Sequence, residues 1–257
     1  MSGQTRRVQE QFGAIAAAYV TSPGHAGGED LERLVAWARA LGPARVLDVA
    51  TGGGHTALAL AGVAPHVTAY DVTEPMLRAA RGLLRERGAG GATFVAGDVE
   101  TLPFRDGAFD LVTCRIAAHH FASVAAAVRE VRRVLRPGGS FLLQDILGHD
   151  DAEAAAFVTE VERRRDPSHV RAYRAVEWKA FLRAAGLTTM ESAVIAKGRP
   201  WQEWTARTRM TPEARHDLEA FVRAAPGRCR AAFDFRLVEG RVESFTDRML
   251  LVRADRD

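Results

Sequence analysis

The residues VLDVATGGGHT, from Val46 to Thr56, decide the fold of this chain. The run opens as a short, apolar and β-branched segment, which is typical of a strand buried on both faces of a sheet. The glycines at 52–54 follow, and because glycine tolerates positive φ, they predict a tight turn at which the backbone can closely approach a ligand. A helical pattern begins near His55. Strand, glycine turn and helix in this order are typical of an α/β unit.

A second stretch, VTAYDV at 67–72, predicts the next strand and ends with Asp71. Asp71 follows the glycine turn at close to the ~20-residue separation at which an acid holds the two hydroxyls of an adenosine ribose. The helix that begins near His55 directs its free N–H groups toward the same place. These features together indicate a nucleotide-type cofactor site, and therefore an enzyme.

Two classes of cofactor fit this arrangement, because Gly52-x-Gly54-x-x-Ala57 also satisfies a loose dinucleotide fingerprint. Asp48 favours one of the two. A carboxylate at the strand end repels an anionic pyrophosphate, whereas it attracts the ammonium and sulfonium groups of S-adenosylmethionine. The sequence therefore favours S-adenosylmethionine over NAD. An NAD-dependent oxidoreductase and a non-catalytic S-adenosylmethionine-binding regulatory protein remain alternatives.

Strands and helices alternate along the chain. This rhythm predicts an α/β, Rossmann-like doubly wound fold with a mostly parallel seven-stranded sheet and a C-terminal antiparallel hairpin. A helix at 5–19 is expected to form an N-terminal lid over the carboxyl ends of the strands, where open α/β sheets bind ligands. The predicted strands are 45–49, 66–70, 93–96, 109–115, 140–146 and 188–195, followed by hairpin arms at 231–239 and 241–253.

We expect one domain over residues 1–257, because this length suits a single α/β core with additions. A charged helix at 150–165 and a second helix within 168–185 follow the fifth strand. The expected parts are an N-terminal lid and helix at 1–40, a cofactor-binding core at 41–196, a helical insertion at 197–230 and the hairpin at 231–257.

Several further motifs make the sequence resemble the class I S-adenosylmethionine-dependent methyltransferases, and within them the small-molecule group related to the ubiquinone/menaquinone C-methyltransferases. The resemblance spans about 8–187. One departure is Ala50, which stands where the family most often has its first glycine. Besides the glycine turn, the motifs are GDVETLPF at 97–104, FDLVTCR at 109–115, HHF at 119–121 and VLRPGG at 134–139.

The resemblance implies a set of cofactor-binding residues. Asp48, Ala50 and Gly52 would line the methionine and ribose part of S-adenosylmethionine, and Asp71 would take the ribose hydroxyls. Val72 and Met76 would pack on the adenine. Asp98 would accept a hydrogen bond from the adenine amino group, with the backbone of Val99 beside it. Arg115 would contact the methionine moiety. The family positions of Tyr19 and His25 imply further contacts with the cofactor, and for His25 ordinary exposure to solvent is the alternative.

His119 and His120 are the candidate catalytic residues, because they follow the fourth predicted strand, where methyl group and acceptor should meet. Either could act as general base for a phenol or an acidic carbon, and either could instead cap or pack the next helix. His119, Phe12, Arg174 and Trp201 are candidates for substrate contact. For Phe12 and Trp201 the alternative is simple packing, and for Arg174 it is ordinary exposure to solvent.

The expected acceptor is a small molecule and not a nucleic acid. The formal net charge is only +3 and no block of five like charges occurs. The residues after the fourth strand, Cys114 to Ala118, lack the Asn/Asp-Pro-Pro-aromatic sequence of nucleic-acid amino methyltransferases. No apolar run is long enough to span a bilayer, and the two cysteines form no metal-binding pattern. We therefore expect a cytoplasmic monomer or homodimer without a metal.

Overall fold

The computed structural model describes residues 2–16 and 26–257, so that the predicted cofactor residues Tyr19 and His25 lie outside the described residues. Within these two ranges, no helix combines the length and the apolar character needed to cross a membrane. The described helices are α1 (Gly3–Gly13), α2 (Glu29–Leu41), α3 (His55–Ala61), α4 (Glu74–Glu86), α5 (Val124–Val134), α6 (Ala152–Arg165), α7 (Ala175–Ala185), α8 (Trp201–Ala206), α9 (Pro212–Ala224) and α10 (Gly227–Ala232). The described strands are β1 (Arg45–Val49), β2 (His66–Asp71), β3 (Thr93–Ala96), β4 (Phe109–Arg115), β5 (Leu135–Ile146), β6 (Leu187–Pro200), β7 (Arg236–Val238) and β8 (Arg241–Arg256).

The strands form a single sheet in the order β3-β2-β1-β4-β5-β8-β6, with β7 paired to β8. The first five strands in this order are parallel neighbours, and β8 runs antiparallel between β5 and β6. The predicted Rossmann-like, mostly parallel sheet is confirmed, and β7 adds a short eighth strand to its seven-stranded path. Because parallel neighbours end at the same edge of a sheet, the residues that follow β1, β2, β3 and β4 are brought together there.

Helices cover both faces of the sheet. One face packs against α5 and α7 in a cluster that includes Leu47 and Trp178. The opposite face packs against α2 and α3 in a cluster that includes Val46 and Leu60. Since successive side chains of a strand point to opposite faces, β1 contributes to both clusters. The sequence prediction of a sheet covered on both faces is therefore confirmed.

The segment before the hairpin differs from the prediction of a strand at 231–239. The chain forms α10 first, and only Arg236–Val238 pair with β8. Cys229 and Phe233 are four residues apart and both are buried in the same cluster. Residues spaced by four share one face of a helix, so burial of this pair favours a helix over an extended arm. The turn between β7 and β8 includes Gly240, as the sequence predicts.

The helices between β6 and β7 pack against α6 and the first half of β8. Their shared cluster contains Trp201, Trp204, Val222 and Phe245. Because β8 is antiparallel to β5 and pairs Met249 with the end of that strand, the start of β8 lies at the carboxyl edge of the sheet. The inserted helices are thereby brought to the edge where the candidate site residues meet.

Candidate active site

The loop after β1 adopts an unusual backbone. Ala50 has φ 52° and Gly52 has φ 53°, both in the left-handed region that favours glycine. An added Cβ at Gly52 would have no atom within 4 Å, so the backbone here is open to a ligand. Ala50 accepts the left-handed conformation because its half-buried methyl group packs against the core cluster around Leu47. Ala50 thus adopts the left-handed backbone conformation that favours the glycine usual in the family at this position.

Asp71, the last residue of β2, joins this loop to the next one. Its Oδ2 accepts a hydrogen bond from the backbone N of Gly52 at 2.8 Å, and its Oδ1 accepts one from the backbone N of Thr73 at 2.8 Å. Burial raises the pKa of Asp71, although the backbone hydrogen bonds oppose the shift. The carboxylate therefore stands at the edge of the sheet with its orientation fixed by two backbone donors.

Asp48 lies deeper than Asp71. It is 1% exposed, and its two oxygens accept hydrogen bonds from the hydroxyls of Thr51 and Thr113, both at 2.7 Å. Burial raises the pKa of Asp48 to about 6, because the two hydroxyl donors only partly offset the loss of solvation. Asp48 is a support beneath the glycine turn and does not line the cavity above it.

A cavity of about 760 Å³, including its mouth, lies above these loops, and we call it the first cavity. Helix α1 covers it through Thr5, whose hydroxyl donates to Oδ2 of Asp98 at 2.8 Å, and through Gln9, whose Nε2 donates to the carbonyl oxygen of Val72 at 2.8 Å. The N-terminal helix therefore lies where a lid was predicted. The candidate residues that line the first cavity are Phe12, Ala50, Gly52, Asp71, Val72, Met76, Asp98, Val99 and His120.

His119 lies in a 3₁₀ turn (Ala118–His120) after β4 and is held by Asp145 at the end of β5. Its Nδ1 lies 2.6 Å from Oδ1 of Asp145, and its backbone N donates to Oδ2 of the same residue at 2.8 Å. A carboxylate partner makes Nδ1 the protonated nitrogen of the neutral ring, which leaves Nε2 as an acceptor. Burial lowers the pKa of His119, but the Asp145 carboxylate outweighs it and the pKa is raised.

His119 lines another cavity of about 520 Å³, which we call the second cavity. The two cavities share Phe12, Ile116 and His120 as lining residues, so they meet at this wall. The ring of Phe12 contacts His120 edge-on, with 5.0 Å between ring centroids. Burial and the neighbouring His119 lower the pKa of His120 to about 4. His120 is therefore a neutral part of the shared wall at neutral pH.

Three other candidate residues line neither cavity. Arg115 is buried and its guanidinium donates to Oδ2 of Asp30, with the nearer contact at 2.7 Å. Arg174 is the N-cap residue before α7, and its Nε donates to Glu177 at 3.1 Å. Trp201 is buried among aromatic residues of the insertion, which matches the alternative that it anchors this segment. Their assignments to cofactor and substrate remain predictions.

Asp145 and His169 are among the buried residues of this region that the sequence analysis missed. Asp145 holds His119. His169 lines the second cavity, and its buried Nε2 atom has no hydrogen-bond partner among the described residues. Asp145 carries a signal that could have identified it, because it is an acid at the end of an apolar strand, like Asp48 and Asp71. His169 lies in a loop of mixed composition and carries no such signal.

Solved structures of two bacterial proteins are similar to this chain over almost their whole length. A candidate methyltransferase of Bacillus halodurans C-125 has 38% sequence identity and a TM-score of 0.85, covering 89% of this chain and 99% of that one. YcgJ of Bacillus subtilis has 33% identity and a TM-score of 0.84, covering 88% of this chain and 97% of that one.

Sequence comparison gives the same result over shorter stretches. YcgJ, an uncharacterized methyltransferase of Bacillus subtilis, is 43% identical over 159 residues, which are 62% of this chain and 63% of YcgJ. The ubiquinone/menaquinone biosynthesis C-methyltransferase UbiE of Methylobacterium nodulans is 39% identical over 149 residues, which are 53% of this chain and 58% of UbiE. These alignments span less than two thirds of the curated relatives.

The methyltransferase domain family matches residues 47–143. That range contains the glycine turn, three of the strand-ending acids and the turn that carries the two candidate histidines. The match favours S-adenosylmethionine over NAD, as the carboxylate of Asp48 does. The family model matches this chain, the fold agrees, and this chain covers two related structures almost completely. The chain therefore belongs to the S-adenosylmethionine-dependent methyltransferases.

Proposed function

We propose that the protein transfers a methyl group to a small organic acceptor bound in the second cavity, with His119 as the general base. The observation that carries this proposal is the junction of the two cavities. They share the wall formed by Phe12, Ile116 and His120, and the His119–Asp145 pair lies on the side of the second cavity. A donor in the first cavity and an acceptor in the second would therefore lie next to each other across this wall, with His119 on the side of the acceptor.

The first cavity fits S-adenosylmethionine, the cofactor of this family. Its volume falls in the range of about 300–1,000 Å³ that small-molecule sites occupy. Gly52 leaves open space beside the backbone, Asp71 and Asp98 are acceptors for hydroxyl and amino groups, and Val72 and Met76 supply apolar surface. When bound, the cofactor supplies a methyl group on a positively charged sulfur, which is a good leaving group.

The role of His119 follows from its two ring nitrogens. Asp145 holds Nδ1 and the backbone N, so the ring has one orientation and Nε2 is the nitrogen left to accept a proton from the acceptor. Asp145 also stabilises the imidazolium that forms when the proton arrives, which is why the pKa of His119 is raised. General-base catalysis of this kind contributes typically about 10²–10⁴-fold to the rate.

The second cavity supports a small acceptor over a nucleic acid. It lies beneath α1, and its walls include buried side chains such as His119, His169 and Trp204. A base within a polynucleotide would have to be extruded to reach such a site, and binding of the strand would require a basic surface stripe that the sequence lacks. The relative UbiE is named as a C-methyltransferase of ubiquinone/menaquinone biosynthesis, so its named role is also in small-molecule chemistry.

The first experiment is calorimetric titration of the protein with S-adenosylmethionine, S-adenosylhomocysteine and NAD in parallel. We expect both adenosyl ligands to bind and NAD not to bind. Transfer of labelled methyl groups to phenols, quinols and amines is then measured. Binding of the cofactor without transfer to any acceptor would favour the alternative of a non-catalytic binding protein, whereas binding of NAD alone would reject the proposal.

The role of His119 is tested by His119→Gln, which removes the base and keeps a polar side chain. We expect kcat to fall about 10²–10⁴-fold while the affinity for S-adenosylhomocysteine stays within twofold. His216→Gln is the matched control, because His216 is exposed on α9. A kcat of His119→Gln within threefold of the wild type would remove His119 from the mechanism.

A further inference from the structure

The second cavity has a polar and charged lining. Two buried ion pairs lie in its wall, Glu162 with Arg165 at 3.0 Å and Asp247 with Arg199 at 2.6 Å. Their four side chains are between 3% and 11% exposed. A long hydrocarbon chain in this cavity would cover charged groups without giving them hydrogen bonds, which is costly. The lining therefore disfavours acceptors with an alkyl or prenyl tail.

The charges of the lining are balanced, because it contains three acids and three arginines: Glu162, Asp166, Asp247, Arg165, Arg199 and Arg207. Each arginine of the two pairs has its own carboxylate, and the His119 ring has Asp145. A ligand with a net charge would upset one of these pairs, because an added charge of either sign repels one partner. The lining is therefore best suited to an uncharged ligand that brings both donors and acceptors.

The ion pairs keep hydrogen-bonding capacity for such a ligand. Arg199 donates to Asp247 through Nε, and among the described residues no partner is found for its two terminal nitrogens. Arg165 donates to Glu162 through Nη1 and to the carbonyl oxygen of Trp204 through Nε, and no partner of its Nη2 is found in the described ranges. Donors in this wall can therefore bind a ligand oxygen while the pairs remain intact.

His169 gives an independent indication of a polar ligand. It is 4% exposed and lines the second cavity, yet its Nε2 has no hydrogen-bond partner in the described part of the chain. Burial and the neighbouring His119 lower the pKa of His169, so its ring is neutral. No set of three ligating side chains with metal-binding geometry is found among the described residues. A buried polar atom that is left unpaired is costly, and a ligand hydroxyl would satisfy it.

We infer that the methyl acceptor is a small, uncharged, hydroxylated molecule, and that it is methylated on oxygen. This inference rests on the proposed function. One hydroxyl gives its proton to Nε2 of His119, and its oxygen forms the new bond to the methyl carbon. The bond between that carbon and the sulfur breaks, and its electron pair stays on the sulfur. The products are a methyl ether, S-adenosylhomocysteine and a proton that His119 returns to solvent.

The test compares two ligands of the same shape, catechol and o-xylene, which differ in having hydroxyl or methyl groups. The protein is saturated with S-adenosylhomocysteine, and binding of each ring is followed by saturation-transfer NMR and titration. We expect catechol to bind at least tenfold more tightly than o-xylene. Equal or tighter binding of o-xylene would overturn the inference, and so would the failure of both to bind.

Two variants link the preference to the lining. His169→Phe keeps an aromatic ring and removes Nε2, and we expect at least fivefold weaker binding of catechol with unchanged affinity for S-adenosylhomocysteine. The double variant Arg199→Met, Asp247→Leu removes a complete ion pair, so no unpaired charge is buried, and we expect it to shift the preference toward o-xylene. His216→Gln is the control that should change neither ligand. Unchanged preference in both test variants would contradict the assignment.

Failure of this inference can be distinguished from failure of the proposed function. Catechol binding without methyl transfer to any hydroxylated ring would contradict the proposed reaction and leave the binding preference in place. Methyl transfer to an alkylated quinol, together with a preference for o-xylene, would confirm the reaction and overturn the acceptor class.

Discussion

Replacement of Asp48 by asparagine should stabilise the protein and weaken its cofactor binding. The side chain is 1% exposed and its oxygens accept hydrogen bonds from Thr51 and Thr113. Asparagine has almost the same shape, and its amide can accept from one hydroxyl and donate to the other. Asp48→Asn thus removes the buried negative charge with little change in packing.

The expected gain follows from the raised pKa of Asp48. An acid with a pKa of about 6 in the folded state and 3.8 in the unfolded state favours folding when it is protonated. This contribution is fully present below pH 3.8 and is lost as the pH rises through about 6. The full loss is about 3 kcal/mol above pH 7, and about 1.5 kcal/mol of it falls between pH 5 and pH 7.5. Asp48→Asn has no such loss.

Urea unfolding of both proteins at pH 5 and pH 7.5 measures the effect. The free energy of unfolding of Asp48→Asn should exceed that of the wild type by more at pH 7.5 than at pH 5, with a change of about 1.5 kcal/mol. Asp110→Asn is the control of opposite sign, because contacts with Arg136 and Arg45 outweigh burial and lower the pKa of Asp110. That variant should lose stability at neutral pH.

Calorimetry with S-adenosylmethionine completes the test. If the carboxylate of Asp48 attracts the cationic cofactor, its loss should weaken binding about 10- to 100-fold, equivalent to about 1.4–2.8 kcal/mol. A variant that is no more stable than the wild type at pH 7.5 would refute the argument from burial. A variant that binds the cofactor as tightly as the wild type would refute the argument from charge.

Three further predictions concern single positions. The value of kcat/KM should rise with pH through the raised pKa of His119 and then level off, and the rise should be absent in His119→Gln. The stability of the folded protein should change in the opposite direction, because the stabilisation by protonated His119 is present below pH 6.5 and is lost as the pH rises through the raised pKa. Urea unfolding of both proteins measures this loss. Ala50→Gly should raise the free energy of unfolding by about 0–1 kcal/mol, because relief of the strain of the left-handed backbone exceeds the entropic cost of glycine. As a control, Ala57→Gly within α3 should lower the free energy of unfolding by about 1 kcal/mol. Gln144→Leu should raise the free energy of unfolding by about 1–3 kcal/mol, because neither amide atom of this buried side chain has a hydrogen-bond partner among the described residues, and a loss of stability in thermal or urea unfolding would contradict this reason.

Local spacing was enough to predict that the glycine turn and Asp71 lie together beside the first cavity. Gly52 and Asp71 are joined by a hydrogen bond in the structure, and both belong to one strand–helix–strand unit whose geometry is nearly fixed. The strands of that unit lie at the predicted positions, and the turn that carries His119 follows β4 as expected. Period and turn chemistry act over short stretches of chain, so they can be read from the sequence.

The second cavity could not be predicted in the same way. The contact of His119 with Asp145 depends on the pairing of β4 with β5, and the contact of Arg199 with Asp247 depends on the antiparallel register of β6 and β8. His169 reaches the same cavity from a loop after α6. Each of these contacts joins residues far apart along the chain, and a single sequence contains no direct signal of their register.

The acids at the carboxyl edge of the sheet explain how one fold holds both cavities. Asp48, Asp71, Asp98 and Asp145 end or follow β1, β2, β3 and β5, so the parallel arrangement gathers four carboxylates that would repel one another. Each carboxylate accepts hydrogen bonds from a different kind of donor. Asp48 accepts from threonine hydroxyls and Asp71 from backbone N–H groups. Asp98 accepts from the lid residue Thr5 and a backbone N–H, and Asp145 accepts from the ring and backbone N–H of His119. These hydrogen bonds offset the repulsion among the four carboxylates, and they also separate the carboxylates into two groups. The first three acids surround the glycine turn and the lid, while the fourth holds a histidine on the far side of β4. The boundary between the proposed donor and acceptor sites therefore follows from the order of the strands.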